Sequence, residues 1–182
     1  MTDLNARIRA VCDLSVAPAR EEAGRHEYDG LVQDLSPSGV AQGLARLAAA
    51  RDAVSPLADS HDEAHLRAFE DRQHVVFRDL ELHRRSPMHL LDELDLSVYD
   101  KEYAPFTQRT AARARHLDQW PAAVDAGLAS LDLLSAPVAQ SMLAGVRGLA
   151  TGPGAVPAPP PAARTARIPC RRRTSQARQA GT

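Results

Sequence analysis

The chain has 182 residues, with 22 Lys+Arg against 23 Asp+Glu, 44% hydrophobic and 25% charged residues. This composition suits one globular domain and excludes a collagen-like or wholly disordered protein. Two cysteines, Cys12 and Cys170, make no disulfide framework and suit a reducing, cytoplasmic setting. There is no apolar run long enough for a transmembrane helix, and Asp3, Arg7 and Arg9 interrupt the place of a signal peptide's apolar core, so neither membrane insertion nor export is expected.

Leu4, Ile8, Val11 and Cys12 recur at helical spacing and predict a first short helix ending near Val16. Pro18 and Gly24 predict the start and stop of a second. Residues 25–35 read as a loop. Ser36-Pro37 pairs an N-cap with proline at the first helical position. Val40, Leu44 and Leu47 then line one face until Pro56 closes the segment. Asp59 or Ser60 caps a long helix over 60–85, with Leu66, Phe69, Gln73, Val76, Phe77 and Leu80 as its stripe. Glu63–Arg67 and Glu81–Arg85 are i,i+4 pairs on its exposed face, worth about 0.3 kcal/mol each. Ser86-Pro87 ends it.

Residues 88–104 are rich in Leu and Tyr without a helical period and read as a loop or short turns. Phe106, Thr110, Ala114 and Leu117 restart the period, and Trp120-Pro121 breaks or kinks it. Trp120, Val124, Leu128 and Leu131 continue on one face. Ser135 caps a last helix striped by Val138, Met142, Val146 and Leu149. No stretch alternates as a strand would. The expected fold of residues 1–150 is all-α, an antiparallel multi-helix array.

Residues 151–182 change character. Ala, Gly, Pro and Arg supply 22 of these 32 residues and no period remains, which predicts a disordered tail. The charge divides at the same place. Residues 1–150 hold all 23 acids and 16 of the 22 bases, a charge of −7, whereas the tail has six Arg and no acid. An acidic body is a poor candidate for nucleic-acid binding; only the tail, with Arg171-Arg172-Arg173, suits a polyanion.

His61-Asp62-Glu63-Ala64-His65 places two histidines at i,i+4 on one helical face, a spacing that can chelate zinc. The zinc-peptidase motif needs Glu directly after the first His, and here Glu63 is two residues after it. The stretch therefore reads as the solvated, acid-rich first turn of a helix. His26-Glu27-Tyr28-Asp29 gathers four reactive side chains in a loop, as a base, ligand or substrate contact, or as loop anchors. His74, His83, His89 and His116 are scattered and read as surface or half-buried. Cys12 lies on an apolar helical face, as an unreactive core thiol would. Neither a nucleophile elbow nor a glycine-rich phosphate loop is present.

Several segments taken in order carry a resemblance. His26-Glu27-Tyr28-Asp29 is followed by Asp34-Leu35-Ser36-Pro37, a long acid/base helix, Ser86-Pro87-Met88, the run from Leu96 to Pro105, and Ser135-Ala136-Pro137-Val138. This series resembles the N-terminal region of the bacterial domain-of-unknown-function 885 family, over about residues 1–150. Members of that family look like zinc metallopeptidases, with an H-E-x-x-P-G-H motif well downstream of the matched region. This chain has no such motif. The resemblance therefore implies no catalytic or zinc residue here; zinc is expected only in the full-length parent. It implies at most that His26 to Asp29 face a substrate cleft. The likeness stops near Ala150, where the composition becomes that of GC-rich DNA read out of frame. The expectation is a frameshift-derived tail on a truncated helical fragment that is inactive alone.

Two other readings stay open. One is a stand-alone helical interaction module with a basic tail, the other a small enzyme using the 26–29 loop. No partner is named by the residues. A fragment would expose apolar helix faces, the last helix foremost, and self-associate through them.

Overall fold

A computed structural model describes residues 5–151. The tail predicted over 151–182 lies outside these residues but for Thr151. Eight α-helices follow one another: α1 (Ala6–Asp13), α2 (Val16–Glu21), α3 (Pro37–Ala53), α4 (Ser60–His74), α5 (Leu82–Arg85), α6 (Met88–Glu93), α7 (Phe106–Ser130) and α8 (Ala136–Thr151). Short 3-10 turns at His26–Tyr28 and Ser97–Asp100 and a π turn at Val75–Asp79 complete the elements of the described residues. The class is all-α, with no strand among the described residues. Among them no helix is long and apolar enough to cross a membrane.

The main core gathers Val11 of α1, Leu14 just after it, Val40 and Leu47 of α3, Leu66 of α4, Phe77, Leu90 of α6 and Ala123 of α7. A second cluster places Leu96, Val98 and Tyr99 against Ala112 of α7. Trp120 packs on both, which joins the two halves. A third cluster sets Tyr28 against Val16 and Ala19.

Capping residues act as their chemistry dictates. The Ser36 hydroxyl accepts from the Gly39 N–H at 3.0 Å, and Asp59 Oδ1 accepts from His61 and Asp62 N–H at 2.8 and 3.0 Å. The predicted boundary near Val16 is corrected. Ser15 leaves helical geometry (φ −153, ψ 51), so α1 ends at Asp13 and Val16 opens α2. Pro18 then falls in the first turn of α2, where its missing N–H has no intrahelical acceptor to lose.

The single helix expected over 60–85 is also corrected. It turns into a π turn in which Leu80 N–H reaches Val75 C=O at 2.9 Å, and Glu81 takes a left-handed φ of +47. Phe77 continues the buried face of Leu66, Glu70 and Gln73 and lies between the rings of His83 and His89. Two members of the predicted stripe are not on that face: Phe69, in the regular part of α4, and Leu80, after the π turn, are 55% and 50% exposed. Glu81 then pairs with Arg84 at 2.5 Å more closely than with Arg85 at 3.9 Å.

Glu63 is not on an exposed face. It lies beneath α1, where the Arg7 guanidinium meets two carboxylates: Nη1 to Glu63 Oε2 at 2.8 Å and Nε to Glu70 Oε1 at 2.7 Å. Arg7 and Glu70 are 1% and 0% exposed. Arg67, the expected partner, adds a bond to Glu63 Oε1 at 2.6 Å, and the Leu57 N–H donates to Oε2 at 3.0 Å. These donors hold the Glu63 carboxyl down to about 2, with Arg7 the largest cause. The two carboxylates in turn hold the Arg7 proton more tightly than usual.

Pro121 does not break α7, which runs through it for 25 residues. The predicted stripe is not the buried one. Arg109, Ala112, Arg113, His116, Ala123, Gly127 and Ser130 face inward, at spacings of three, four and seven, while Leu128 is exposed. Both sides of the proline are therefore held on the core. Gly127 allows the closest approach: a Cβ there would lie 2.7 Å from Leu90 Cδ2. Ser130 Oγ donates to the Leu35 carbonyl. Residues 88–104 hold more regular structure than expected, in α6 and the 97–100 turn. On α8, which packs against α6, Val138 and Met142 are half-buried while Leu143 and Val146 are exposed.

Candidate functional site

The loop at 26–29 is built by its glycines. Gly24, at φ +60, ends α2, and the Arg25 N–H returns to the Ala19 carbonyl at 2.9 Å. Gly30, at φ +77, turns the chain out of the 26–28 turn. A Cβ on Gly30 would meet the Ala112 carbonyl oxygen at 2.9 Å and Arg115 Cβ at 3.1 Å, so only glycine lets this loop lie on α7.

Tyr28 is buried and its hydroxyl donates to Asp13 Oδ1 at 2.9 Å. That bond and burial raise its pKa, burial being the larger cause. Asp29 is buried, and its Oδ2 accepts from the Tyr103 hydroxyl at 2.8 Å. His26 lies flat on the Tyr103 ring, with centroids 4.3 Å apart and planes 4° apart. Its Nδ1 is 3.5 Å from Asp29 Oδ2, an ion-pair distance rather than a hydrogen bond. Glu27 is exposed and pairs with Arg25 at 2.7 Å. A bond to its own backbone is the main cause that lowers its pKa. Burial and the bond to Asp29 raise the Tyr103 pKa.

The four residues therefore do not act together. Tyr28 points into the 12–19 cluster and Glu27 into solvent. His26, Asp29 and Tyr103 form one unit, in which Asp29 Oδ1 is buried without a partner. Only the Tyr103–Asp29 contact in this trio is a hydrogen bond, so it anchors the loop to Tyr103 while His26 stacks on the ring.

Behind the loop lies a polar relay whose members were not among the candidate residues. The Gly30 N–H donates to Tyr99 Oη at 2.8 Å. Tyr99 Oη lies 3.1 Å from His116 Nδ1, and His116 Nε2 lies 2.6 Å from the Glu93 carbonyl. A carbonyl only accepts, so Nε2 carries the imidazole proton and Nδ1 accepts from Tyr99. The Glu93 carboxylate accepts from the Ala17 and Gln33 N–H groups, both at 3.0 Å. Burial is the larger influence on Glu93 and raises its pKa against these two donors. Burial, and then the Arg20 cation, push His116 down to about 4. His116 is 0% exposed and His83 is buried, which corrects the surface or half-buried reading for both.

Sequence reasoning missed Glu93, Tyr99 and Tyr103 because they lie where the local period is silent, and His116 because it lies off the apolar stripe read for 106–117. The one available signal was two tyrosines four apart in a segment without helical spacing. His61 and His65 lie side by side, centroids 4.3 Å apart, both exposed. Among the described residues no three His, Cys, Asp or Glu side chains form a group that could hold a metal ion.

No family profile, curated protein or solved structure matches this chain.

Proposed function

We propose that residues 1–150 are a non-catalytic helical portion of a metallopeptidase-like protein of the domain-of-unknown-function 885 type, inactive alone. One observation supports this reading above others. Two segments that carry the resemblance, 26–29 and 96–105, are far apart in sequence yet bonded directly, Tyr103 to Asp29. The rest of the series sits at helix starts: Ser36 caps α3, Pro87 precedes α6 and Ser135 precedes α8. A series of short motifs that meet in this way is what a shared fold would retain. In this reading His26, Asp29 and Tyr103 position the loop, and zinc belongs to the downstream part of the parent.

The test is the coding DNA from codon 140 onward, translated in all three forward frames. The expected result is a frame that continues the helical pattern and reaches H-E-x-x-P-G-H. The reading fails if no frame does so, or if the purified chain itself hydrolyses peptides in a chelator-sensitive manner.

The exposed apolar side chains of α7 and α8, Leu128, Leu143 and Val146, are what a fragment without its packing partner would show; the second reading is a stand-alone helical interaction module that uses them for a partner. It predicts a defined oligomer or monomer that unfolds cooperatively, whereas a fragment aggregates. Sedimentation velocity on the full chain separates the two.

A further inference from the structure

A groove of about 700 Å³ runs between α1–α2 and α4, with Ile8, Val11, Leu57, Leu66 and Phe69 as its apolar walls. Phe69 is 55% exposed, so a large ring lines the groove uncovered. Along α4 the groove extends from Asp62 to Arg72, about 15 Å at the rise of a helix. Its carboxylates stand at both ends. Asp62 marks one end, and Asp92 lines the small cavity that adjoins the other, where Arg72 is shared. Glu22, on α2, lies close enough to Asp92 to act on it: burial first, then Asp95 and Glu22, raise the Asp92 pKa. Glu22 and Asp62 are exposed, and neither has an ion-pair partner among the described residues. The three carboxylates outnumber Arg72, so the groove favours a cationic occupant with an apolar centre.

The chain itself carries such a segment. Residues 152–182 hold no acid, and Ile168-Pro169-Cys170 stands between Arg164 and Arg167 on one side and Arg171, Arg172 and Arg173 on the other. An extended chain from Arg167 to Arg171 spans about 13 Å, close to the length of the groove. The segment also has the reach. α8 ends at Thr151 and packs on α6, whose Asp92 lines the adjoining cavity. Ile168 lies 17 residues beyond Thr151, up to about 55 Å of extended chain, against about 40 Å across a domain of this size. Tethering supplies an effective concentration on the order of millimolar, so a contact too weak to hold a free peptide holds a tethered one. The −7 charge of residues 1–150 draws the +6 charge of the remainder in the same direction.

We propose that residues 164–173 dock in this groove of their own chain, with Ile168 and Pro169 against Leu57, Leu66 and Phe69 and the flanking arginines on Asp62, Glu22 and Asp92. Docked, the segment covers Phe69 and closes the groove to other ligands. This contact uses none of the 26–29 loop and depends only on the chain as translated, so its failure leaves the coding-DNA test of the metallopeptidase reading untouched.

The chain has two isoleucines, Ile8 in the groove and Ile168 in the segment. Full-length protein labelled at its Ile and Leu methyl groups therefore reports docking directly by NMR. NOE contacts are expected from the Ile168 δ1-methyl to the methyls of Ile8, Leu57 or Leu66. Arg171→Glu/Arg172→Glu/Arg173→Glu alters only residues outside the described ones, and Glu22→Lys/Asp62→Lys alters two exposed, unpaired side chains, so both sets leave the fold intact. Each set alone should lower the ratio of docked to free segment about tenfold, read from the Ile168 methyl shift, and the two sets combined should restore it. Absence of the contacts, contacts to another surface, contacts unchanged by either charge reversal, or contacts found only between differently labelled chains in a mixed sample would each overturn the proposal. The mixed-sample result would mean that the groove takes the segment of a second copy.

Discussion

Arg7→Met removes a cation that is 1% exposed and holds two carboxylates under α1. Methionine keeps the apolar stem and deletes the guanidinium. The consequence differs for the two acids. Glu63 keeps Arg67 at 2.6 Å and the Leu57 N–H at 3.0 Å. Glu70 is 0% exposed and keeps only Arg51, at 3.6 Å. Breaking a buried pair costs about 3–5 kcal/mol, most of it from the charge left behind. The remaining donors place this case at the low end, about 3 kcal/mol. If the orphaned Glu70 is the cause, Arg7→Met/Glu70→Leu should recover about 2 kcal/mol of that loss, a strong departure from additivity. Urea denaturation of the single and double variants, with slopes compared for two-state behaviour, measures both. A single-variant cost below about 1 kcal/mol, or a double variant as unstable as the sum of its parts, would refute the reasoning.

The remaining predictions concern pH and the loop. His116 ionises near 4 in the folded chain against 6.5 unfolded, so its contribution is complete above pH 6.5 and is lost as pH falls through 4. The loss is on the order of 3 kcal/mol, and His116→Phe should flatten the urea midpoint across that window. Glu63, held at about 2 against 4.5, stabilises fully above 4.5 and loses that contribution as pH falls through 2; Glu63→Gln should remove this lower limb from acid titrations followed by circular dichroism. Tyr103→Phe leaves buried Asp29 without its 2.8 Å donor and should cost about 1.5 kcal/mol, read as a shift in thermal midpoint. Gly30→Ala combines a φ of +77 with a Cβ 2.9 Å from the Ala112 carbonyl and should cost about 2 kcal/mol or more, against about 1 kcal/mol for Gly24→Ala, which has open space. Equal costs for the two glycines would show that the contact with α7 is unimportant.

Helix starts were legible wherever a side chain satisfies its own neighbours. Ser36 and Asp59 cap because their oxygens reach N–H groups two or three residues on, a local geometry that composition alone exposes. Stripes were legible only in part. In the regular part of α4 the buried face carries Glu63, Leu66, Glu70 and Gln73 and leaves Phe69 outside, and Leu80 is exposed beyond the π turn at 75–79. In α7 the hydrophobic period pointed to Phe106, Thr110, Ala114 and Leu117, whereas the face that the fold buries carries Arg109, Ala112, Arg113 and His116. The polar residues of that face found partners: Arg109 donates to the Tyr99 carbonyl at 2.6 Å and Arg113 to Asp100 at 3.1 Å.

The candidate site shows the same division. The four residues His26 to Asp29 stand together in sequence, but in space only His26 and Asp29 stay together, while Tyr28 and Glu27 turn away. Asp29 gained its role from Tyr103, which is 74 residues away. Gln73 looked like one polar member of an apolar stripe, and only the seating of α4 against α1 and α2 made its carbonyl oxygen an unanswered acceptor. The all-α class, the caps and the approximate number of helices follow from short-range rules of spacing and hydrogen bonding, which act within a few residues and are written in the chain directly. Which polar groups are buried, which carboxylate meets Arg7, and where a cavity remains depend on contacts across tens of residues. Those are decided when the helices pack, because burial and pairing are properties of neighbours in space.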